Sequence, residues 1–259
     1  MSAVYEIYAV KYARHERRAA ENFIGGDPHD GPMPLDYFVW LVRDGGRELV
    51  VDTGFSAAVA AKRGREHLRC PTEGLRLLGV EAAAVRDVVI THLHYDHVGN
   101  FELFPGAMLH LQDLEMRYAT GRYMGHGCFR GAFDVEDVVG MVRRVYEGRV
   151  RFHDGDAELM PGVSLHLVGG HTMGLQVVRV ATRRGAVVLA SDASHFYANM
   201  EQVRPFPIVW SVGAMVDGYR RLHELAESPA HIIPGHDPLV MQRYPAASSE
   251  LEGIAVRLD

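Results

Sequence analysis

The chain has 259 residues, 47% of them hydrophobic and 23% charged, so it can bury a sizeable core and is short enough for one domain. Its formal net charge is −6 and no block of consecutive basic residues stands out, which argues against a nucleic-acid partner. It also lacks a run of the roughly 18 apolar residues that a membrane span needs, so we expect no membrane partner.

The first half of the chain has a loop followed by strands. Residues 25–34 are rich in proline and glycine and indicate a long loop. Short apolar runs at residues 37–42 and 48–51 flank Asp44-Gly45-Gly46, a combination that predicts a β-hairpin, and Asp52-Thr53-Gly54 ends its second strand. A further apolar run, residues 85–90, predicts a strand that leads directly into a cluster of histidines.

Helical patterns appear in the second half. Residues 107–111 predict a strand, and residues 112–148 have valines near helical spacing with charges between them, which predicts a helical cap segment. Residues 210–227 predict an amphipathic helix. Between these two helical regions the strand pattern returns from Val150, and the further predicted strands are residues 162–168, 175–181 and 185–190.

These elements fall into two groups of strands, each of which ends in helix. Such an order favours two sheets packed together with helices outside. We therefore expect an α+β fold, an αβ/βα four-layer sandwich, formed by a single domain over residues 1–259 with the cap segment at about 112–148.

Three of the fifteen histidines fall within the hexapeptide His92-Leu93-His94-Tyr95-Asp96-His97. Residues two apart in an extended loop point the same way, so His92 and His94 can bind one ion while Asp96 and His97 face a second direction. Imidazole suits zinc, iron, nickel or copper, and the carboxylate adds a harder ligand. The hexapeptide therefore predicts a site for a zinc-like or iron-like divalent metal, with ligands for two ions.

The hexapeptide resembles the His-x-His-x-Asp-His signature of the metallo-β-lactamase superfamily. Later in the chain, His171 follows two glycines, Asp192 follows Ala-Ser and His236 follows Pro-Gly, as in the remaining ligand motifs of that family. The turn Asp52-Thr53-Gly54 resembles the family's Asp-Thr-Gly turn, which supports the ligands. The resemblance covers most of the chain.

The resemblance implies two divalent metal ions, with Zn2+ expected and iron or manganese as alternatives. A hydroxide between the ions would attack the scissile carbonyl, because bound metals lower the pKa of water to about 7. Asp96 would also serve as the proton shuttle. The implied ligands are His92, His94 and His171 for the first ion, Asp96, His97 and His236 for the second, and Asp192 for both.

Within the superfamily, Asp192-Ala193-Ser194 and Gly235-His236-Asp237 are most similar to the N-acyl homoserine lactonase group, which implies opening of a small lactone. That group has a tyrosine three residues after the bridging aspartate, where its hydroxyl helps to polarise the substrate carbonyl. This chain has His195 there. His195, our second catalytic candidate, could donate to the substrate, bind a metal or simply pack, and Tyr197 could reach the site instead. The change favours another small lactone, cyclic amide or ester over a signalling lactone.

Two alternatives remain open. A glyoxalase II-like thioesterase, or the related persulfide dioxygenase with a single iron, shares the hexapeptide, although Asp96, His236 and the Gly-His-Asp ending favour the binuclear hydrolase. A non-catalytic metal-binding sensor is the other alternative, against which the complete set of ligand positions argues. Metal stoichiometry, and oxygen uptake compared with acid release, would separate the enzymes.

The expected partner is a small-molecule substrate, and the sequence leaves the oligomeric state open, a homodimer included. Packing is the ordinary role of large apolar side chains, but several could line an apolar pocket. They are Phe23, Ile24, Met33, Phe129, Phe133, Phe196, Tyr197, Phe206 and Trp210. Arg204 could hold a substrate carboxylate, although surface exposure is the ordinary state of an arginine.

A cytoplasmic location is expected. Charges between Met1 and Arg18 leave no apolar stretch for a secretory signal. Cys70 and Cys128 cannot form a disulfide framework and are expected to be reduced, partly buried thiols.

Overall fold

The computed structural model describes residues 4–259. The predicted domain and the segment expected to lack a secretory signal both begin with residues 1–3, which lie outside the described residues. The strands are β1 (Glu6–His15), β2 (Leu35–Arg43), β3 (Glu48–Val51), β4 (Glu66–His67), β5 (Asp87–Val89), β6 (Met108–Gln112), β7 (Val150–His153), β8 (Ala157–Met160), β9 (Val163–Leu167), β10 (Gln176–Thr182), β11 (Gly185–Ser191), β12 (Ile232–Pro234) and β13 (Ala255–Arg257).

The helices connect these strands. They are α1 (Ala57–Arg63), α2 (Pro71–Leu77), α3 (Tyr95–Val98), α4 (Asp113–Ala119), α5 (Gly127–Arg130), α6 (Val135–Tyr146), α7 (Tyr197–Glu201), α8 (Val212–Leu225) and α9 (Leu239–Arg243). Within residues 4–259, none of the helices combines the length and the apolar character that crossing a membrane requires.

The strands form two sheets. The first has the order β13-β1-β2-β3-β5-β6-β7, with β4 paired to β1, and β3, β5, β6 and β7 are parallel to one another. The second has the order β12-β11-β10-β9-β8, in which β12 is parallel to β11 and the other pairs are antiparallel. Parallel strands end at the same edge of a sheet, so the loops after β3 and β5 lie together, as do those after β9, β11 and β12.

Strand β2 is buried on both faces because it lies inside the sandwich. Tyr37 and Val39 pack in the cluster that includes α1, α2 and α6, on the outer side of the first sheet. Phe38 and Trp40 point the other way and pack against the second sheet. The uninterrupted apolar sequence of β2 therefore reflects two buried faces. These layers confirm the predicted αβ/βα sandwich.

The long first strand β1 was not predicted, nor were the short strands β12 and β13. Strand β1 carries charged residues at Glu6, Lys11 and Arg14, which obscure its pattern. Two of these charges are neutralised by neighbouring strands: Lys11 Nζ lies 2.7 Å from Asp36 Oδ1, and Arg43 Nε lies 3.1 Å from Glu6 Oε2. Tertiary pairing thus makes a strand of a sequence that looks mixed.

The range 112–148 begins with the last residue of β6 and then contains α4, α5 and α6 with a short 3-10 turn between them. In α6 the buried side chains are Val138 and Met141, whereas Val135 is 68% exposed, so the buried face is displaced from the predicted valine face. We propose that this segment is a cap, because the Phe133 ring lies 4.5 Å from that of His94. We also propose that residues 4–259 form one domain, because both sheets contribute to one core.

Candidate metal centre and active site

Loops at one edge of the two sheets bring the seven predicted ligands together. His92 and His94 follow β5, and α3 carries Asp96 and His97. His171 lies between β9 and β10, Asp192 follows β11, and His236 follows β12. All seven side chains are buried, the most exposed residue being Asp96 at 8%.

The first ligand group consists of His92, His94 and His171, whose nitrogens lie close enough together to share one ion. Nδ1 of His94 lies 3.1 Å from Nε2 of His92 and 2.8 Å from Nε2 of His171. Burial lowers the pKa of His171, and it lowers the pKa of His92 and of His94 well below the usual value. The three imidazoles are therefore neutral, which is the form that binds a metal.

The second group consists of Asp96, His97 and His236. Oδ2 of Asp96 lies 3.6 Å from Nε2 of His97 and 3.7 Å from Nε2 of His236. Burial opposes charge on His97, but the carboxylates of Asp192 and Asp52 raise its pKa well above the usual value. Burial also opposes charge on His236, but the carboxylates of Asp192 and then Asp96 raise its pKa. The negative charge of these carboxylates favours the binding of a cation by this group.

Asp192 lies between the two groups and presents one oxygen to each. Oδ1 lies 3.0 Å from Nε2 of His236 and 3.3 Å from Nε2 of His97. Oδ2 lies 3.2 Å from Nε2 of His171 and 3.9 Å from Nε2 of His92. Burial alone would raise the pKa of Asp192, yet the surrounding imidazoles, first that of His236, hold it well below the usual value. A carboxylate placed in this way can serve two sites at once.

Among residues 4–259, two buried atoms of the cluster make no hydrogen bond of acceptable geometry, although other atoms of the cluster lie close to them. They are Nε2 of His97 and Oδ1 of Asp192. A buried polar atom without a partner costs about 1–3 kcal/mol of stability, and a bound cation would satisfy both atoms. The donor set of imidazole nitrogens and carboxylate oxygens is the one that zinc and related divalent metals prefer. The residues therefore fit divalent metal binding.

Two strained backbone positions support the cluster from below. Asp52 at the end of β3 has φ 62° and Ser191 at the end of β11 has φ 45°, both unusual outside glycine. Thr91 Oγ1 joins them, at 2.8 Å from Asp52 Oδ2 and 2.9 Å from Ser191 Oγ. Asp52 Oδ2 also lies 2.7 Å from Nδ1 of His97, so the Asp-Thr-Gly turn contacts a predicted ligand directly.

Gly235 permits the close approach of the His236 loop to β11. A Cβ at this position would lie 2.7 Å from the backbone oxygen of Ser191 and 2.8 Å from Oδ1 of Asp192. Neither atom can move without displacing the carboxylate between the two groups. The glycine of Pro-Gly-His-Asp is therefore a packing requirement of the site.

Glu115, which the sequence analysis missed, connects the two loops of the first group. Its Oε1 accepts from the backbone N–H of Leu93 at 2.9 Å, and its Oε2 accepts from that of Gly174 at 3.0 Å. Burial raises the pKa of Glu115 to about 7 against the effect of these hydrogen bonds. In the sequence, Glu115 looks like any other charged residue of a helix, so its spacing does not identify it as part of the site.

His195 adjoins the cluster, whereas Tyr197 does not reach it. Nε2 of His195 lies 2.8 Å from Oδ2 of Asp192, and its ring stacks on Phe206 at 3.4 Å between centroids. Its Nδ1 is buried and has no hydrogen-bond partner within residues 4–259. The ring of Tyr197 instead packs under the guanidinium of Arg243 at 3.7 Å, facing a different groove. The suggestion that Tyr197 replaces the lactonase tyrosine is therefore wrong.

A cavity of about 420 Å3 opens onto the cluster, and Asp96, Asp192, His195 and His236 line it. Of the aromatic residues proposed from the sequence, only Phe129 contributes to its wall. The cavity also has basic residues that the sequence analysis missed, because they come from distant segments and share no motif. They are His15, Arg17, Arg63 and Arg65.

Two further expectations need correction. Arg204 is not in this cavity: its Nη1 lies 2.9 Å from Asp27 Oδ2 and its guanidinium covers the Phe23 ring at 3.9 Å. Cys128 is exposed and lines the cavity, whereas Cys70 is partly buried as expected, and both are free thiols.

Comparison with known proteins is consistent with this geometry. The family model of the metallo-β-lactamase superfamily matches residues 33–252. The N-acyl homoserine lactonase AttM of Rhizobium johnstonii is 30% identical over 243 residues, which cover 86% of this chain and 89% of that protein. The lactonase AiiA of Bacillus thuringiensis subsp. kurstaki is 28% identical over 167 residues, which cover 63% of this chain and 60% of that protein.

Solved structures share the fold. An N-acyl homoserine lactone hydrolase, with the product N-hexanoyl-L-homoserine bound at its catalytic metal centre, superimposes with a TM-score of 0.78 at 21% identity. The match covers 95% of this chain and 98% of that one. At this identity the superposition concerns the fold alone.

Proposed function

Because this chain belongs to the metallo-β-lactamase superfamily, we propose that it is a metal-dependent hydrolase that opens a small lactone with two divalent ions, expected to be Zn2+. The observation that carries this proposal is the position of Asp192. Its Oδ1 faces His236 and its Oδ2 faces His171, so one carboxylate belongs to two ligand groups. The lactonase relatives support the choice of a lactone as substrate.

The proposed ligands follow the two groups and Asp192. When bound, two such ions would lower the pKa of water toward about 7 and polarise the substrate carbonyl. The ions would be held by His92, His94 and His171 in the first group, by Asp96, His97 and His236 in the second, and by Asp192 in both.

Asp96 is the proposed proton shuttle because it is the carboxylate of the second group that lines the cavity. Its carboxylate would take the proton that water loses as the new carbon–oxygen bond forms. The carboxylic acid would then return the proton to the ring oxygen as the lactone bond breaks, which yields a hydroxy acid. The hydroxyl of Tyr12 donates to the backbone oxygen of Asp96 at 2.9 Å and so fixes the position of this residue.

His195 is proposed to contact the substrate from the cavity wall. Nε2 of His195 lies 2.8 Å from Asp192 Oδ2, and its ring stacks on that of Phe206. The imidazole lines the cavity where the lactonase group has a phenol. An imidazole and a phenol differ in their hydrogen-bond donors and acceptors, and this difference supports a substrate other than an acyl homoserine lactone.

Acid release tests the proposal. Metal-loaded protein should release protons from a simple five-membered lactone in a pH-stat, without oxygen uptake, and Asp192→Asn should abolish this activity. His166→Gln is a matched control, since Nδ1 of His166 pairs with Asp156 at 2.9 Å and the residue does not line the cavity. Hydrolysis of thioesters but of no lactone, or oxygen consumption with a persulfide, would overturn the proposal in favour of the alternative enzymes.

A further inference from the structure

One wall of the cavity carries three guanidinium groups. Arg17, Arg63 and Arg65 line the same cavity as the predicted ligands Asp96 and His236. All three arginines are partly buried. Among residues 4–259 no carboxylate oxygen lies within 4.0 Å of any of these guanidinium nitrogens, so none has an ion-pair partner.

Neutral groups hold the arginines in place. Arg63 donates to the backbone oxygens of Gly131 at 3.1 Å and Phe133 at 3.2 Å. Arg65 donates from Nε to the hydroxyl of Tyr95 at 3.1 Å and from Nη1 to the backbone oxygen of Arg63 at 2.7 Å. Such bonds fix the direction of each guanidinium group without neutralising its charge.

Some N–H groups of the arginines on this wall also lack an acceptor among residues 4–259. Arg17 donates from Nη2 to the backbone oxygen of Glu21 at 2.6 Å. Nε of Arg63 is buried without a partner, and Nη2 of Arg65 has no hydrogen-bond partner among residues 4–259. The Nε of Arg63 is enclosed by protein, so an incoming anion would meet the free N–H groups of Arg65 Nη2.

The same positive charges affect the pKa of a neighbouring histidine, His15. Nε2 of His15 lies 3.1 Å from Nη1 of Arg65. Burial, followed by the charges of Arg65 and Arg17, lowers the pKa of His15 to about 4, although the Glu21 carboxylate acts in the opposite direction. His15 therefore stays neutral at neutral pH and can accept from Arg65.

Arg65 is connected to the ligand cluster through two tyrosines. The Tyr95 hydroxyl that accepts from Arg65 lies 3.3 Å from the hydroxyl of Tyr37. The Tyr37 ring packs edge-on against that of His236 at 5.1 Å, and Tyr95 directly precedes Asp96 in α3. Arg65 also lines the same cavity as Asp96 and His236.

We propose, on the basis of the lactonase function proposed above, that the native substrate is a small lactone that carries a carboxylate. Arg65 binds this carboxylate, and Arg17 and Arg63 complete the positive field, while the lactone carbonyl lies at the ligand cluster. An uncharged acyl chain on this wall would bury the guanidinium groups further without compensating their charge. At about 420 Å3 the cavity is at the small end of ligand sites, which suits a compact acidic substrate.

Equilibrium binding tests the proposal without depending on turnover. The probes are 3-oxocyclopentane-1-carboxylate, a ketone isostere of a lactone carboxylate that cannot be ring-opened, and its methyl ester. Titration calorimetry of metal-loaded protein should give at least about tenfold tighter binding of the carboxylate, because hydrogen bonds to a charged group are worth more than those to a neutral one. Arg65→Gln should bring the ratio of the two dissociation constants close to 1.

Arg204→Gln is the matched control, because Arg204 pairs with Asp27 outside the cavity and the ratio should stay as in the wild type. The ester provides an internal measure of folding for every variant. Arg17→Gln, which removes one hydrogen bond to Glu21, is the second variant if Arg65→Gln does not fold. A wild-type ratio near 1, or a preference for the carboxylate that survives in both cavity variants, would overturn the proposal.

Kinetics separate this inference from the proposed function. The substrates are 5-oxotetrahydrofuran-2-carboxylate and its methyl ester, and the expected kcat/KM is at least about tenfold higher for the acid, mainly through KM. Efficient opening of the ester with no preference for the acid would refute the anionic substrate and leave the lactonase intact. Opening of neither lactone would refute the lactonase, and the binding ratio would still decide the anion site.

Discussion

Nδ1 of His97 lies 2.7 Å from Oδ2 of Asp52, and both side chains are buried. The carboxylate accepts the imidazole proton, which leaves Nε2 of His97 free to face Asp192 at 3.3 Å. Asp52 in turn is held by the backbone N–H of Thr91 at 2.7 Å. The turn after β3 thus sets the orientation of a proposed ligand on α3.

Asp52→Asn should weaken metal binding by about 10–100-fold, because an amide accepts the His97 proton less strongly than a carboxylate does. Asparagine tolerates a positive φ, so the variant changes the charge without adding backbone strain. Competition with a chromophoric chelator at fixed pH measures the effect. Asp87→Asn is the control, since Asp87 Oδ1 lies 3.0 Å from Nε2 of His110 in a pair away from the cluster. Unchanged metal affinity in Asp52→Asn would refute this role.

Glu115→Gln should lower both the free energy of unfolding and metal affinity. Its amide would keep one acceptor for Leu93 or Gly174 and turn an N–H toward the other, at a cost of about 1–3 kcal/mol. Urea unfolding measures the first effect. Chelator competition measures the second, which a purely structural role would leave unchanged. Glu102→Gln, at an exposed position, is the control and should alter neither.

Two aspartates at the start of α6 should change stability in opposite directions with pH. Burial, followed by the charge of Asp134, raises the pKa of Asp137 to about 6. Its ionisation therefore destabilises the fold as pH rises from the unfolded value toward 6, and Asp137→Asn should raise the free energy of unfolding at pH 8.

Asp134 is the counterpart. Burial opposes its ionisation, but the backbone N–H of Glu136 and the ammonium of Lys62, 3.2 Å away, lower its pKa. Asp134→Asn should therefore lower the free energy of unfolding at pH 8, and the loss should shrink as pH falls below the unfolded pKa. Urea unfolding at pH 8 and at about pH 3.5, below the unfolded pKa of about 3.9, measures both variants. Shifts of the same sign at pH 8 would contradict the assignment.

His195→Phe should reduce kcat/KM on the preferred lactone by at least about tenfold while the metal content stays as in the wild type. Phenylalanine retains the stacking on Phe206 and removes both nitrogens, so the variant tests the polar contacts of the imidazole. Full activity would mean that His195 only packs. Loss of metal from the purified variant would mean that it is a ligand, as its closeness to His171 and Asp192 permits.

The local pattern predicted much of the fold. Strands β2, β3, β5 and β9 to β11 were predictable because their apolar runs are short and bounded by turn residues. Strand β1 was not, because its charges are compensated by Asp36 and Arg43, which are distant in sequence. The buried face of α6 depends on which neighbours it packs against, so valine spacing alone misplaced it.

At the site, each ligand candidate belongs to a short motif that contains glycine or follows a strand, so each can be recognised in the sequence. The residues that support the ligands cannot be recognised in this way, because Glu115 acts through the backbone N–H groups of Leu93 and Gly174. The basic wall is equally hidden: Arg17 follows β1, whereas Arg63 and Arg65 lie at the end of α1 and beyond it. The sequence pointed to Arg204 instead, whose partner Asp27 lies 177 positions away.

Metal content is the most direct test of the central claim, that one carboxylate serves two metal sites. Plasma mass spectrometry of protein purified without chelators should give about two divalent ions per chain, and Asp192→Asn should lose both. His166→Gln should retain the wild-type content. One ion or fewer per wild-type chain, or two ions retained after Asp192→Asn, would contradict the account.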